Sequence, residues 1–317
     1  MHRHLEQLAE ISERAKREAR LESILTKMEE EWKSRELQLT TFRETNIKIL
    51  YGPNIEEIQQ SLDEHYLTAQ TIRSSPDVAP LQQRAESWER QLARVQEVLE
   101  VWVRVQGNFL YLEPVLRAED IKTTLPAEAQ EFELTAAAWS RITDRVKPDR
   151  SILVLVNQAD LLGLLTQADK RLERILKSLH AYLEMKRERF PRFYFLSNEE
   201  LLDLLGESRK PERIQVHLKK CFEGVDRVVF ETRGSNLAIT GVVSREGEHV
   251  EILREVVPTE YHNNVEQWLL ALEHQMELSV KDLIHRCIVE HSRAKTEMSL
   301  REKWLQSWQG QAILMSS

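Results

Sequence analysis

Histidine and cysteine at helical spacing are the residues of this 317-residue chain with the most chemistry within reach. His217 and Cys221 stand four apart, so on a helix both would face one side, as two ligands of a metal ion must. His285, Cys287 and His291 form a second such group. A zinc site wants three or four ligands held by closely spaced pairs or loops, and neither group has that pattern. The plainer reading is helix packing, in which a free cysteine behaves as a small buried hydrophobe. No metal ligand is therefore assigned. The basic run Lys186-Arg187-Glu188-Arg189 has two readings, a dock for an acidic partner or a solvated helix end.

Phosphate chemistry has no visible seat. A nucleotide cradle needs glycine-dense backbone ahead of a helix N-terminus, and the chain has neither a GxxxxGK[ST] run nor any Gly-Lys pair. The patterns GxGxxG, HExxH, GxSxG and CxxC are missing too. No catalytic and no cofactor-binding residue is assigned. A formal net charge of -8 argues against a nucleic-acid-binding face. The two cysteines lie far apart and form no disulfide framework, which favours a reducing compartment. The first twenty residues hold no apolar signal core, and no run of about 18 apolar residues exists, so no membrane span is expected.

The elements that must carry these residues are mostly helices. Charged residues make up 30%, with only nine glycines and nine prolines, a balance that suits an elongated helical protein with much solvated surface. Leu21, Leu25, Met28 and Trp32 recur at helical spacing after Leu5. Asn54 and Glu57 have the spacing of a capping box, with Ile55, Ile58, Leu62 and Tyr66 behind them. Trp88, Leu92, Val95, Leu99 and Trp102 mark an amphipathic helix, out of which Tyr111-Leu112-Glu113-Pro114 bends the chain. A polar connection then leads through Pro126 to a shorter helix with Phe132 and Trp139. Trp88, Trp102 and Trp139 read as core anchors.

From Leu161 to Met185, apolar residues repeat on average about every 3.5 positions, a coiled-coil-like seam. Pro191 ends it, and Phe193-Tyr194-Phe195-Leu196 reads as a short extended run. Ser197 and Glu200 form a capping box, and Gly206 stands where a C-cap glycine belongs. Pro211 starts a helix to Cys221 with Lys219 and Lys220 in its last turn. The period then falls to two around Val228 and Phe230, Leu237 and Ile239, and Val250 and Ile252, with turns at 234–236 and 246–248. Helical periodicity returns after Pro258, and Trp304 and Trp308 close the chain as either core or interface. The fold class expected is mainly α: an elongated helical-bundle rod with a small antiparallel β meander near residues 225–253. Its parts are 1–110, 111–224, the meander at 225–257, and 258–317.

The stretch Phe190-Pro191-Arg192-Phe193-Tyr194-Phe195-Leu196-Ser197-Asn198-Glu199-Glu200-Leu201-Leu202 closely resembles the signature of the dynein heavy-chain linker. So does Gln215 to Gly224. Val105-Gln106 followed by Tyr111-Leu112-Glu113-Pro114 and Glu119-Asp120-Ile121 is another anchor, as is Ile58 to Asp63 with the Ser74-Ser75-Pro76 break. Trp304, Trp308 and Gln311 resemble the family's join to its first AAA+ module. The matches keep the family's order over nearly the whole chain. Phe109 stands where the family usually has Trp, and Gly310 where it often has Pro. Leu196-Ser197-Asn198 and Lys220-Cys221-Phe222-Glu223 look more like axonemal than cytoplasmic chains, whereas the 244–248 turn also resembles cytoplasmic ones.

The resemblance implies a mechanical lever that arches over the AAA+ ring of its own heavy chain. It would swing as the ring cycles ATP and drive minus-end-directed movement on microtubules. ATP and Mg would belong to the ring, and the intermediate chains, light chains and microtubule would be met by other regions. The location implied is the cytoskeleton of a cilium or flagellum, with the cytoplasm as the alternative. Tyr111, Pro114, Arg192, Phe193, Trp304 and Trp308 are the interface or hinge candidates. The bend is expected at 111–126, which has two prolines and few apolar residues, rather than at 147–157; the alternative is a rigid packed loop there. The rival class is a passive helical scaffold, but no 20–50-residue repeat supports it and the meander speaks against it. The missing phosphate loop predicts that the chain by itself does not bind Mg-ATP. Calorimetric titration checks this, and a micromolar dissociation constant would overturn it.

Overall fold

The computed structural model describes residues 2–308 except Glu44, Arg209, Ser235, Asn263 and 295–297. For residues 2–6, Asp120, Ala294, Met298 and Ser299 it describes the backbone alone. Gly310 and Gln311 thus lie outside the described residues. The chain falls into two compact units: Met1–Leu116 with Ala127–Lys177, and Arg117–Pro126 with Ser178–Ser317. No helix among the described residues is long and apolar enough to cross a membrane. The fold is mainly α with a small three-stranded meander, as expected.

The first unit begins with α1 (His2–Lys33), whose Leu25, Met28 and Trp32 are buried. A two-stranded hairpin that periodicity did not reveal follows, β1 (Leu39–Thr41) against β2 (Lys48–Leu50). Strands of three residues are too short to show a period of two. Helix α2 (Gly52–Arg73) starts two residues before Asn54, with Tyr51 as its N-cap and Pro53 in the first turn. Proline's fixed φ and missing N–H suit that position, so it rather than Asn54 opens the helix. The Asn54 side chain is used elsewhere, accepting from Gln38 N at 2.9 Å and donating to Glu36 O at 3.2 Å.

Helix α3 (Gln82–Arg117) corrects the expected exit at 111–114: it continues without a break through Pro114. Proline denies the Leu110 carbonyl its partner and usually costs a helix interior about 3 kcal/mol. Here it sits in the last turns, where buried Phe109, Leu112 and Leu116 hold the helix down. The chain breaks later, at Ala118 and again at Leu125, both outside α conformation. The expected polar connection between them is itself a helix, α4 (Glu119–Thr124), which belongs to the second unit.

Helix α5 (Pro126–Asp144) packs Phe132 and Trp139 on Phe109, with ring centroids 5.1 and 5.4 Å away and near-parallel planes. The Trp139 indole donates to Lys48 O at 2.9 Å, which ties the hairpin down. The apolar run near 152 is a short buried helix of its own, α6 (Ile152–Val156). Helix α7 (Leu161–Arg189) buries Leu161, Leu165, Ala168, Leu172, Ile175 and Leu179 to 2% exposure or less, so the seam is dry. Each large aliphatic residue so buried contributes about 1.5–3 kcal/mol. The division between units falls inside this helix, between Lys177 and Ser178.

In the second unit, Pro191–Phe195 is a 3-10 turn and not an extended run, since Pro191 opens it and the Phe193 and Leu196 amides bond back by three residues. The Ser197–Glu200 capping box forms and starts α8 (Asn198–Gly206). Gly206 is the last helical residue and the cap falls on Glu207. A 3-10 turn at Pro211–Ile214 leads into α9 (Gln215–Cys221). The meander is β3 (Val225–Arg233), β4 (Asn236–Ser244) and β5 (His249–Val256), antiparallel in that order, with Gly234 and Gly247 at positive φ in its turns. Ser235 of the first turn is outside the described residues. The sheet sits on α10 (Val265–Ala294), where Ser279 Oγ accepts from Leu253 N at 2.9 Å. Helix α11 (Met298–Ser307) ends the described chain.

Two glycines should respond oppositely to the same change. A Cβ on Gly241 would lie 2.7 Å from His249 Nε2 and 3.1 Å from Val250 O. One on Gly107, exposed on α3, would meet nothing within 4 Å. Gly241→Ala should therefore destabilise by about 1–3 kcal/mol, and Gly107→Ala should stabilise by up to about 1 kcal/mol. Chemical denaturation of both variants checks the signs.

Candidate mechanical site

The C-terminal end of α7 gathers basic residues where the helix dipole favours them, and the first turn of α10 holds an acid for the same reason. In the second unit these ends meet. Lys186 Nζ donates to Glu266 Oε1 at 2.5 Å, and Arg189 Nη1 reaches the same oxygen at 3.4 Å. Glu266 is wholly buried and the Lys186 side chain is 12% exposed. Seven residues along α10, on the same face, Glu273 Oε1 accepts from Arg192 Nε at 2.7 Å. Bases at 186, 189 and 192 thus answer acids at 266 and 273.

The solvated-end reading holds for Glu188 and Arg189, which are exposed, but not for the rest of the basic run. Lys186 and Arg187 are neither a free dock nor a solvated helix end, because each is turned inward onto a partner. Arg187 is nearly buried and donates to Asn198 Oδ1 at 2.8 Å, Leu196 O at 3.3 Å and Glu184 Oε1 at 2.9 Å. It therefore holds the 3-10 turn to the start of α8. Arg192 also donates to Cys221 O at 3.1 Å and lies 5.0 Å over the Phe222 ring. Phe193 is fully buried, edge-on to Phe190 at 4.9 Å. The Glu200 carboxylate, bonded to Lys220 and to the Ser197 amide, is held below the usual carboxylate range.

Burial pushes the Cys221 thiol up to about 12. His217 lies 3.2 Å from Asp203. Among the described residues no three His, Cys, Asp or Glu side chains come together as a metal site. Trp304 is 5% exposed, donates to Cys287 O at 3.1 Å and stacks on His291 at 4.5 Å. Trp308 donates to Glu290 Oε2 at 2.9 Å. Both are thereby seated on α10.

The structure brings Arg192 and Phe193 into one cluster, and Trp304 and Trp308 into another further down α10. Tyr111 and Pro114 lie in the first unit, where Tyr111 is half-buried in α3 and Pro114 is exposed. Glu266 and Glu273 escaped the sequence reading, because an acid in a first turn looks like ordinary dipole compensation. The available signal was the pairing of a three-residue repeat of bases with a seven-residue repeat of acids.

A cavity of about 480 Å³ beside the Lys186–Glu266 pair is lined also by Thr123, Thr124, Tyr182 and Ser208. Glu266 Oε2 itself is buried without a hydrogen-bond partner. Lys186→Met alone should cost about 3 kcal/mol, the low end for breaking a buried pair since Arg189 stays in reach. Lys186→Met with Glu266→Leu should recover most of the loss. Urea denaturation measures both, and equal losses would refute the pairing.

Residues 1–287 match the family model described as dynein heavy chain, N-terminal region 2. The chain is 38% identical over 311 residues to dynein axonemal heavy chain 1 of Mus musculus, covering 98% of this chain and 7% of that one. To dynein axonemal heavy chain 12 of the same species it is 37% identical over 314 residues, 99% of this chain and 10% of the relative. To human dynein axonemal heavy chain 3 the identity is 36% over 313 residues, again 99% of this chain and 7% of the relative. The chain thus spans a tenth or less of the length of these relatives.

Proposed function

The chain belongs to the dynein heavy chain family, and from that premise we propose that it is the motor's linker. It acts as a lever that changes conformation over the AAA+ ring and moves the motor toward microtubule minus ends in a cilium or flagellum. ATP hydrolysis with Mg, microtubule contact and the intermediate and light chains belong to other regions of the heavy chain. The observation that supports the reading is the division into two compact units, with α4 as a short insertion of the second unit and α7 running through the division. A lever needs stiff bodies and few places to bend. Long helices with dry seams supply the first, and the non-helical residues Ala118 and Leu125 around α4 supply the second. The axonemal relatives support the ciliary location.

The bend expected at 111–126 is accordingly narrowed to 118–125, because α3 is unbroken before it. The test is a cysteine pair in α3 and α4 on either side of Ala118, crosslinked in a complete motor. Gliding should slow while ring ATPase stays largely intact, because chemistry and lever are separate parts. Unchanged gliding velocity with the crosslink verified in place would sink this joint.

A further inference from the structure

Three features outside the joints invite a role: the cavity beside Glu266, the tryptophan corner of α10 and α11, and the charge pairs between α7 and α10. The pairs reach furthest. We infer that Lys186, Arg189 and Arg192 with Glu266 and Glu273 form a charge ladder that passes load from α7 into α10, which rests on the lever reading above.

The first argument is that the ladder is poorly explained by stability. A buried ion pair gives up the hydration of both charges, and a well-packed apolar pair would often serve the fold as well. The upper rung is not even complete, since Glu266 Oε2 finds no donor. What charges add is a directed, short link between two specific points, which an apolar contact free to slide does not offer.

The second argument is position. Helix α7 is the one element whose middle lies at the division between the units. Its end is where the chain turns sharply at Pro191, so a load carried along it has to leave the helix there. Both rungs sit at that place, one just before the turn and one within it. They land about 10 Å apart on α10, two helical turns. A single link would let α10 pivot, whereas two fix its direction.

The third argument is continuity. Beyond the rungs, α10 holds β5 through Ser279 and Leu253, and then Trp304 of α11 through Cys287 and His291. Helix α10 is thus the element that links the end of α7 to β5 on one side and to Trp304 of α11 on the other. Spatial continuity alone does not demonstrate coupling, so the test must separate transmission from stability.

The lower rung allows this, because Arg192 is 40% and Glu273 26% exposed and changes there are tolerated by the fold. Three complete heavy chains carrying this segment are compared with the parent: Glu273→Lys, Glu273→Lys with Arg192→Glu, and the Ala118 crosslink. Gliding velocity, ring ATPase and thermal unfolding are measured for each. Glu273→Lys should slow gliding by about twofold or more without a matching loss of ATPase. The exchanged pair should regain velocity. Its melting temperature should stay low, because the Cys221 carbonyl and the Phe222 ring have lost their guanidinium. Velocity that tracks the melting temperature through both variants would reduce the ladder to an ordinary stabilising contact and overturn the inference. Parental velocity in Glu273→Lys while the crosslink slows gliding would overturn the ladder and leave the lever standing. Parental velocity with the crosslink would remove both.

Discussion

A carboxylate sealed from water cannot be left without a cation, and Glu266 is such a group. Its position ties the end of α7 to α10, because among the described residues Lys186 and Arg189 are the cations that reach it. Once α7 ends there, the chain has to turn at once, and Pro191 makes the turn. Arg192 then falls opposite Glu273, and Phe193 falls into the pocket against Phe190. The order of residues from 186 to 200 is thus a sequence of geometric consequences of one buried charge, ending in the capping box that launches α8.

The same constraint explains why the second unit tolerates a sheet within a helical chain. Helix α10 offers two faces to different neighbours. One carries the acids that meet α7, and another carries Ser279 and the apolar side chains beneath β5. A helix packed on both sides must be held in rotation about its axis, and hydrophobic contact alone is non-directional. The two ion pairs and the Ser279 bond supply that orientation. In the first unit the directional bonds are different in kind. Trp139 to Lys48, Trp32 to His65 at 2.8 Å, and Asn54 to both Glu36 and Gln38 each tie an aromatic or amide side chain to a specific partner.

Long periodic segments were legible from sequence because burial dictates their residue types. The α7 seam, the tryptophan anchors and the meander all follow from spacing, and the Ser197–Glu200 box from cap chemistry. The misreadings share a cause. Pro114 and Asn54 were read by local preference, and in both cases neighbouring structure decided otherwise: buried Leu112 and Leu116 carry α3 past one, and Pro53 opens α2 ahead of the other. Pro191–Phe195 looks extended because aromatic residues favour strands, yet a proline at the start and buried Phe193 favour a tight turn. Of the candidate site, Arg192 and Phe193 were visible as a signature, but not their partners. Contacts across about 80 positions leave no trace in local periodicity.

In the lever proposed above, buried polar groups would serve to hold one part of the chain to another. In a catalytic pocket, unusual burial places a group against a reacting atom. Here Lys186, Arg187 and Glu266 each face another part of the same chain, and burial pushes the Cys221 thiol up to about 12. A chain that must bear force without yielding in its interior has to concentrate deformation at its joints. Dry seams and internal ion pairs would stiffen each unit for that task, and α7 would be the strut that runs through the division between them. On that view, the polar interior of the second unit and the bare backbone at Ala118 and Leu125 are two sides of one requirement. In such a lever, a simple joint at Ala118 would suffice only where the units themselves are fully tied.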